Sequence, residues 1–255
     1  MLVFKLLLTP LLVGLVSFAG RRWGPVVSGW LVGLPLTSGP VALFLALELG
    51  NSFASTAAQG TLTGLLSLAA FCLTYSWLSF RLNWVGSILV SWGIFFVVTF
   101  VLQYIIIPLS ASFIIVLCAL VITLKLLPDN TSQIARVKPA RWDTPLRMLV
   151  ATAFVLALTG FASLLGPRLS GLLTPFPIYA TILAIFTHRV QGAPSARRLL
   201  RGLITGVFSF AVFFLIIAQF VVPLGILFAF SLAALFALLL HGTSLYLLRK
   251  YMTNI

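Results

Sequence analysis

The segment from Gly24 to Gly50, GPVVSGWLVGLPLTSGPVALFLALELG, is apolar and long enough to cross a bilayer, yet its centre reads Pro35-Leu36-Thr37-Ser38-Gly39-Pro40. Each proline lacks a donor N–H and its ring clashes with the carbonyl one turn back, so regular helix cannot run through both. In hydrocarbon, the backbone groups freed by such a break need partners, which confines it to places buried in protein or lining a cavity. Thr37 and Ser38 put hydroxyls at the break. The stretch predicts a broken membrane helix and one half of a binding or transport site.

The other half is found by adding 142 to each residue number. That offset carries Gly24-Pro25 onto Gly166-Pro167, Ser28-Gly29 onto Ser170-Gly171 and Pro35 onto Pro177. Without a gap it then carries Ala42 and Phe44 onto Ala184 and Phe186, Gly50 onto Gly192, Gly60 onto Gly202, Thr63-Gly64 onto Thr205-Gly206 and Ser67 onto Ser209. Five glycines in register indicate an internal duplication.

With 61% hydrophobic and 7% charged residues, the chain is outside the range of soluble globular domains and reads as an integral membrane protein. A net charge of +13 invites a nucleic-acid reading. No extended polar domain exists to carry one, and basic residues between apolar spans are topology signals. Cys72 and Cys118 fall inside predicted spans and read as packing residues rather than a disulfide. The N-terminal apolar run after Lys5 has the look of a signal peptide, but the offset places Lys5 on Arg147, so it is read as the first membrane helix.

A span needs about 20 apolar residues. The predicted spans are 2–20, 25–49, 60–80, two within 84–127 divided near Pro108, then 145–165, 169–189, 199–220 and 224–248. The expected architecture is all-α, nine transmembrane helices in two four-helix repeats, with a first repeat at 1–108, a fifth linking helix at 109–127, a polar loop at 128–144 and a second repeat at 145–255. With the N-terminus outside and the C-terminus inside, fourteen basic residues fall on the cytoplasmic side, and only Lys5 and Arg168 on the other. Five helices precede the second repeat, so the two copies are expected to lie upside down relative to each other. Inverted-topology repeats with broken helices at the midplane are the recurring build of secondary transporters.

Leu169-Ser170-Gly171-Leu172-Leu173-Thr174-Pro175-Phe176-Pro177, followed by Gln191-Gly192 and the next helix, resembles the small GlpM-like bacterial inner-membrane proteins over residues 166–242. The first repeat resembles them through Gly29 and Pro35. The resemblance implies a four-span unit, here duplicated, in a bacterial inner membrane; it carries no catalytic residues over.

At helical rise, Thr37 and Ser38 lie about 23 Å past Arg22, and Tyr179 and Thr181 lie about 18 Å past Arg168. Thr37, Ser38, Gly39, Tyr179 and Thr181 are therefore the expected substrate-binding residues, with half-helix N-termini near Gly39 and Ile178 favouring an anionic solute. The alternative is that the prolines only kink packed helices. Glu48 is a candidate for ion coupling, although at about 39 Å of helix past Arg22 it reaches the outer interface. His188 reads as interfacial, and His241 receives no role. Gly60 with Gly64, and Gly202 with Gly206, read as close packing of the third and eighth spans. Arg197, Arg198 and Arg201 read as topology anchors or lipid-headgroup contacts.

Three acidic residues, two distant histidines and two cysteines give no carboxylate pair, metal-ligand set or nucleophile triad, so no enzyme, metal or cofactor is expected. The partners expected are membrane lipids and a small-molecule solute, with no nucleic acid and a homodimer left open. A secondary transporter or permease is the leading expectation, against a non-catalytic structural or assembly subunit and a lipid-headgroup translocase.

Overall fold

An apolar chain in lipid must satisfy its backbone N–H and C=O groups within each segment, which leaves the helix as the available element. The computed structural model describes residues 25–36, 38–128 and 143–252, with positions 7, 10 and 11 beyond them. The predicted first span and nearly all of the polar loop lie outside the described residues. Regular structure among the described residues is entirely helical: α1 (Pro25–Val32), α2 (Ser38–Leu49), α3 (Asn51–Leu78), α4 (Trp84–Tyr104), α5 (Leu109–Leu126), α6 (Asp143–Leu173), α7 (Ile178–Gln191) and α8 (Ala193–Met252).

Among the described residues, four helical stretches are long and apolar enough to cross a membrane: α3, α4, α5 and Ala193–Ser244 of α8. A bent pair within α6, Met148–Ala157 and Thr159–Leu173 at 64°, makes a fifth candidate. α6 and α8 are each interrupted by one glycine with non-helical torsions, Gly166 (φ 74°) beside Pro167 and Gly225 (φ 76°) shortly after Pro223. Sharp turns also separate α2 from α3 at Gly50 (φ 89°) and α7 from α8 at Gly192 (φ 83°), two positions that the offset of 142 superimposes. A side chain rarely adopts that conformation, which accounts for glycine at both corners.

The third helix begins at Asn51 rather than near residue 60, because its polar first turns are satisfied by neighbours. Ser55 donates to the Ala218 carbonyl at 2.6 Å and Gln59 to the Ile107 carbonyl at 2.8 Å. Hydropathy registers the polar side chains but not the carbonyls that receive them.

α3 and the first half of α8 form the centre and run antiparallel. Ser55 meets Ala218 at one end of the pair, and Arg197 Nη1 donates to Ser79 Oγ at 3.1 Å at the other. α4, α5 and the second half of α8 turn Leu89, Phe100, Ile114, Ile122, Leu227 and Leu238 outward, an apolar coat suited to lipid. One end of the bundle gathers Arg81, Lys125, Arg189, Arg197, Arg198 and Arg201, tied together by Arg201 on the Leu124 and Leu127 carbonyls and by Arg189 over Trp84. The opposite end carries Gly50, residues 105–108 and Arg168, which donates to the Leu102 carbonyl at 2.9 Å and also to that of Ile105.

Small residues let the helices touch backbone to backbone. On α1, a Cβ at Gly29 would overlap the Leu199 carbonyl, and on α8 one at Gly202 would overlap the Val26 carbonyl. On α6, a Cβ at Gly171 would overlap the Ala57 carbonyl, and on α3 one at Gly60 would fall 2.6 Å from the Arg168 carbonyl. Applying the same offset to the first pair, with partners exchanged, yields the second pair. The glycines of α3 and α8 thus meet the segment before the opposite proline break, α6 and α1 respectively, and not each other as their spacing suggested.

Replacing Gly171 or Gly202 with Val is expected to destabilise the fold by about 1–3 kcal/mol, the usual cost of overpacking. Gly93→Ala and Gly242→Ala, where a Cβ meets open space, should be neutral or slightly stabilising. Thermal unfolding of the purified protein in detergent reads both; equal melting of Gly171→Val and Gly93→Ala would contradict the close contact.

Candidate functional site

The first break follows α1. Gly33 N–H closes onto the Gly29 and Trp30 carbonyls, Leu34 N–H onto Leu31, and Leu36 N–H onto Leu34 at 2.8 Å, a tight turn centred on Pro35; Gly39 N–H then bonds the Pro35 carbonyl at 2.7 Å. The second break repeats this path. Phe176 N–H bonds Leu173, Ile178 N–H bonds Phe176 at 2.8 Å around Pro177, and Thr181 N–H bonds the Pro177 carbonyl at 2.8 Å. Pro177 has φ −79° and ψ 54°, the inverse γ-turn conformation that a proline ring favours through its fixed φ. Proline therefore does more than interrupt the helix here: its own carbonyl starts the next one.

The two breaks touch. Ser38 Oγ, at the first residue of α2, donates to the Thr174 carbonyl at 3.2 Å, and both residues are buried. Gly39 faces the Phe213 ring, and Thr181 Oγ1 accepts from Trp92 Nε1 at 3.1 Å. Phe176 fills the second break among Trp92, Phe95 and Phe96, with ring centroids 5.7, 5.2 and 5.4 Å away. Tyr179 is half-buried at the start of α7, and Thr37 lies outside the described residues. Of the expected site residues, Ser38, Gly39 and Thr181 are thus closed over by side chains in this conformation. Glu48 is exposed near the end of α2, about 15 Å along the helix from Ser38 and away from the breaks.

Two polar groupings, each built around one histidine, bring together residues far apart in the sequence. Tyr75 Oη and His188 Nδ1 are 2.8 Å apart, joining α3 to α7 near the basic end, where Arg197 is 5% exposed and stacks 3.9 Å from the Phe80 ring centre. His241 lies 3.7 Å from the Trp30 indole in a parallel stack, its Nδ1 2.9 Å from Ser209 Oγ. The Ser209 hydroxyl is also 2.7 Å from the Gly206 carbonyl, and buried His241 Nε2 has no hydrogen-bond partner among the described residues. Trp30 Nε1 in turn donates to Ser244 Oγ at 2.8 Å.

A pocket of about 150 Å³ opens at the end opposite the basic cluster, lined by Thr56, Gln59, Gly60, Thr63, Leu102, residues 105–107, Arg168 and Leu172. The offset takes Gln59 to Arg201, Gly60 to Gly202, Thr63 to Thr205 and Leu102 to Ser244, and it makes Leu172 the counterpart of Trp30. At that second location the indole of Trp30 spans to Ser244, whereas on the pocket side Leu172 leaves space. Arg168 was legible as the one basic residue in the chain's middle assigned to the sparsely charged side, but the pocket beside it depends on α3, α4 and α6 meeting.

Among the described residues no group of three His, Cys, Asp or Glu side chains could hold a metal ion, and Cys72 and Cys118 are free thiols. No family model matches the chain, and no curated protein or solved structure matches it.

Trp30→Leu, which installs the residue found at position 172, is expected to open a second pocket and to cost about 2–4 kcal/mol from the cavity and the lost stack. The measurement is the melting temperature in detergent together with thiol labelling of Ser244→Cys, which should rise in the Trp30→Leu background. Unchanged melting and labelling would show that the indole does not fill that space.

Proposed function

We propose that this protein is a secondary transporter or permease for a small, anionic solute, built from two inverted repeats that place two broken spans face to face at mid-membrane. The observation that carries the reading is the Ser38 Oγ bond to the Thr174 carbonyl: two breaks with the same backbone path meet each other inside the bundle. Three further features support it. α3 and the first half of α8, which the offset superimposes, run antiparallel, as copies of opposite orientation must. Their glycine contacts exchange partners under the same offset, the self-complementary pattern of a two-fold relation. Thr99 Oγ1 bonds Ser67 Oγ at 2.9 Å where the offset puts His241 on Ser209.

On this reading nine spans run N-out to C-in in a bacterial inner membrane, with the basic end cytoplasmic, in keeping with GlpM-like units duplicated in one chain. α2 and α7 begin at the breaks, so their positive dipole ends favour an anion there. The packed breaks correspond to a closed state, and transport requires them to part. The same packing favours a second reading, a structural or assembly subunit whose breaks stay dry.

Single cysteines at Ser38, Gly39, Tyr179 and Thr181, in a background lacking Cys72 and Cys118, separate the two. A transporter is expected to label at these positions with impermeant thiol reagents in vesicles, at rates that change when solute gradients are imposed. Labelling that stays absent from either face under every gradient, while Arg198→Cys labels, would establish the structural reading instead.

A further inference from the structure

The pocket at the sparsely charged end has the elements of an anion site. Arg168 lines it, and the guanidinium is fixed in place: Nη2 donates to the Leu102 and Ile105 carbonyls at the end of α4. A guanidinium has five N–H donors in one rigid plane. Two belong to Nη2, and the three on Nη1 and Nε make no hydrogen bond among the described residues. Holding Nη2 fixes the directions of those three, which removes entropy that a free arginine would lose on binding. Charge-assisted bonds from such a group to carboxylate or phosphate oxygens are among the stronger ones a protein makes.

Thr56 and Thr63 line the same space. Thr56 donates to the Ser52 carbonyl one turn back on α3, which leaves its oxygen as an acceptor for a hydroxyl or water accompanying the ion; Thr63 bonds both the Gln59 carbonyl and Ser112 Oγ. With a volume of about 150 Å³, the pocket holds an ion of a few heavy atoms with its water. No described carboxylate lines it.

We infer that this pocket binds a small oxyanion, a short carboxylate or phosphate, through the donors that Arg168 keeps free on Nη1 and Nε. Binding does not require the breaks to open; the transport reading gives the site a purpose, as the place where solute enters before reaching Thr174.

The test replaces Thr63 with Cys in purified protein lacking Cys72 and Cys118. Modification by a neutral maleimide is timed in sodium acetate, lactate or phosphate against sodium chloride of equal ionic strength. At least one oxyanion should slow the reaction saturably. Arg168→Gln should keep the labelling and weaken the protection by about tenfold or more, as expected for losing charge-assisted hydrogen bonds. Leu172→Trp, which puts an indole where Trp30 has one in the other half, should slow labelling without any anion. If Arg168→Gln does not fold, Arg168→Lys, which keeps the charge and loses the planar donor set, should weaken protection. Labelling indifferent to all three oxyanions, or protection that survives at full strength in the arginine variants, would overturn the site. Protection by phosphate but not by acetate or lactate would still establish an oxyanion site and point to phosphate or a phospholipid headgroup. Uptake into proteoliposomes separates the two proposals: protection without uptake of the same anion leaves the site and removes the transport reading, whereas uptake without protection does the reverse.

Discussion

Backbone-to-backbone contact at four glycines sets the distances on which the rest of the bundle depends. Where Gly29 lies on Leu199 and Gly202 on Val26, and where Gly171 lies on Ala57 and Gly60 on Arg168, there is no room for even a methyl group. Lipid tails are as apolar as leucine, so helices in a membrane gain little from apolar burial against one another and rely on close packing and hydrogen bonds. Closeness here also brings weakly bonding groups into range. The hydrogen bonds from Ser55 to Ala218 and from Ser38 to Thr174 form because the helices bearing them are held this near.

The proline breaks are the second consequence. A break in a membrane helix leaves backbone groups unsatisfied, and the chain answers locally, with Pro35 and Pro177 each at the centre of a tight turn and each accepting the first bond of the following helix. The turns are then covered, Gly39 by Phe213 and Phe176 by Trp92, Phe95 and Phe96. Interhelical hydrogen bonds in membranes contribute about 0.6–2 kcal/mol each. A single bond of the Ser38 kind is therefore weak, and much of the packing at the breaks rests on aromatic side chains.

Positions 30 and 172, which the offset of 142 relates, are treated differently by the fold. Trp30 fills its end of the bundle, stacked on His241 and bonded to Ser244. Leu172, its counterpart in residue number, leaves a pocket next to an arginine held by the end of α4. On the transporter reading this difference makes the two ends of the bundle unequal, with open space beside Arg168 and filled space at Trp30.

Much of the fold was legible from residue order. Proline chemistry located both breaks closely, since Ser38 and Ile178 do begin helices, and the glycines in register marked the helix crossings before any contact was known. The polar start of α3 and the partners of the glycine pairs were not legible, because an apolar window does not register a hydroxyl satisfied by a carbonyl 163 residues away. Nor was the pocket: Gln59 and Thr63 stand far from Arg168 in the chain, and what makes them one site is the crossing of α3, α4 and α6. Residue order alone dictates that the chain is helical, where its apolar stretches are interrupted and which positions are small enough to cross, because these follow from local backbone chemistry. Which break meets which, that both are closed, and that the open space lies beside Arg168 came only with the folded arrangement, because those outcomes depend on distances between segments remote from one another in the chain.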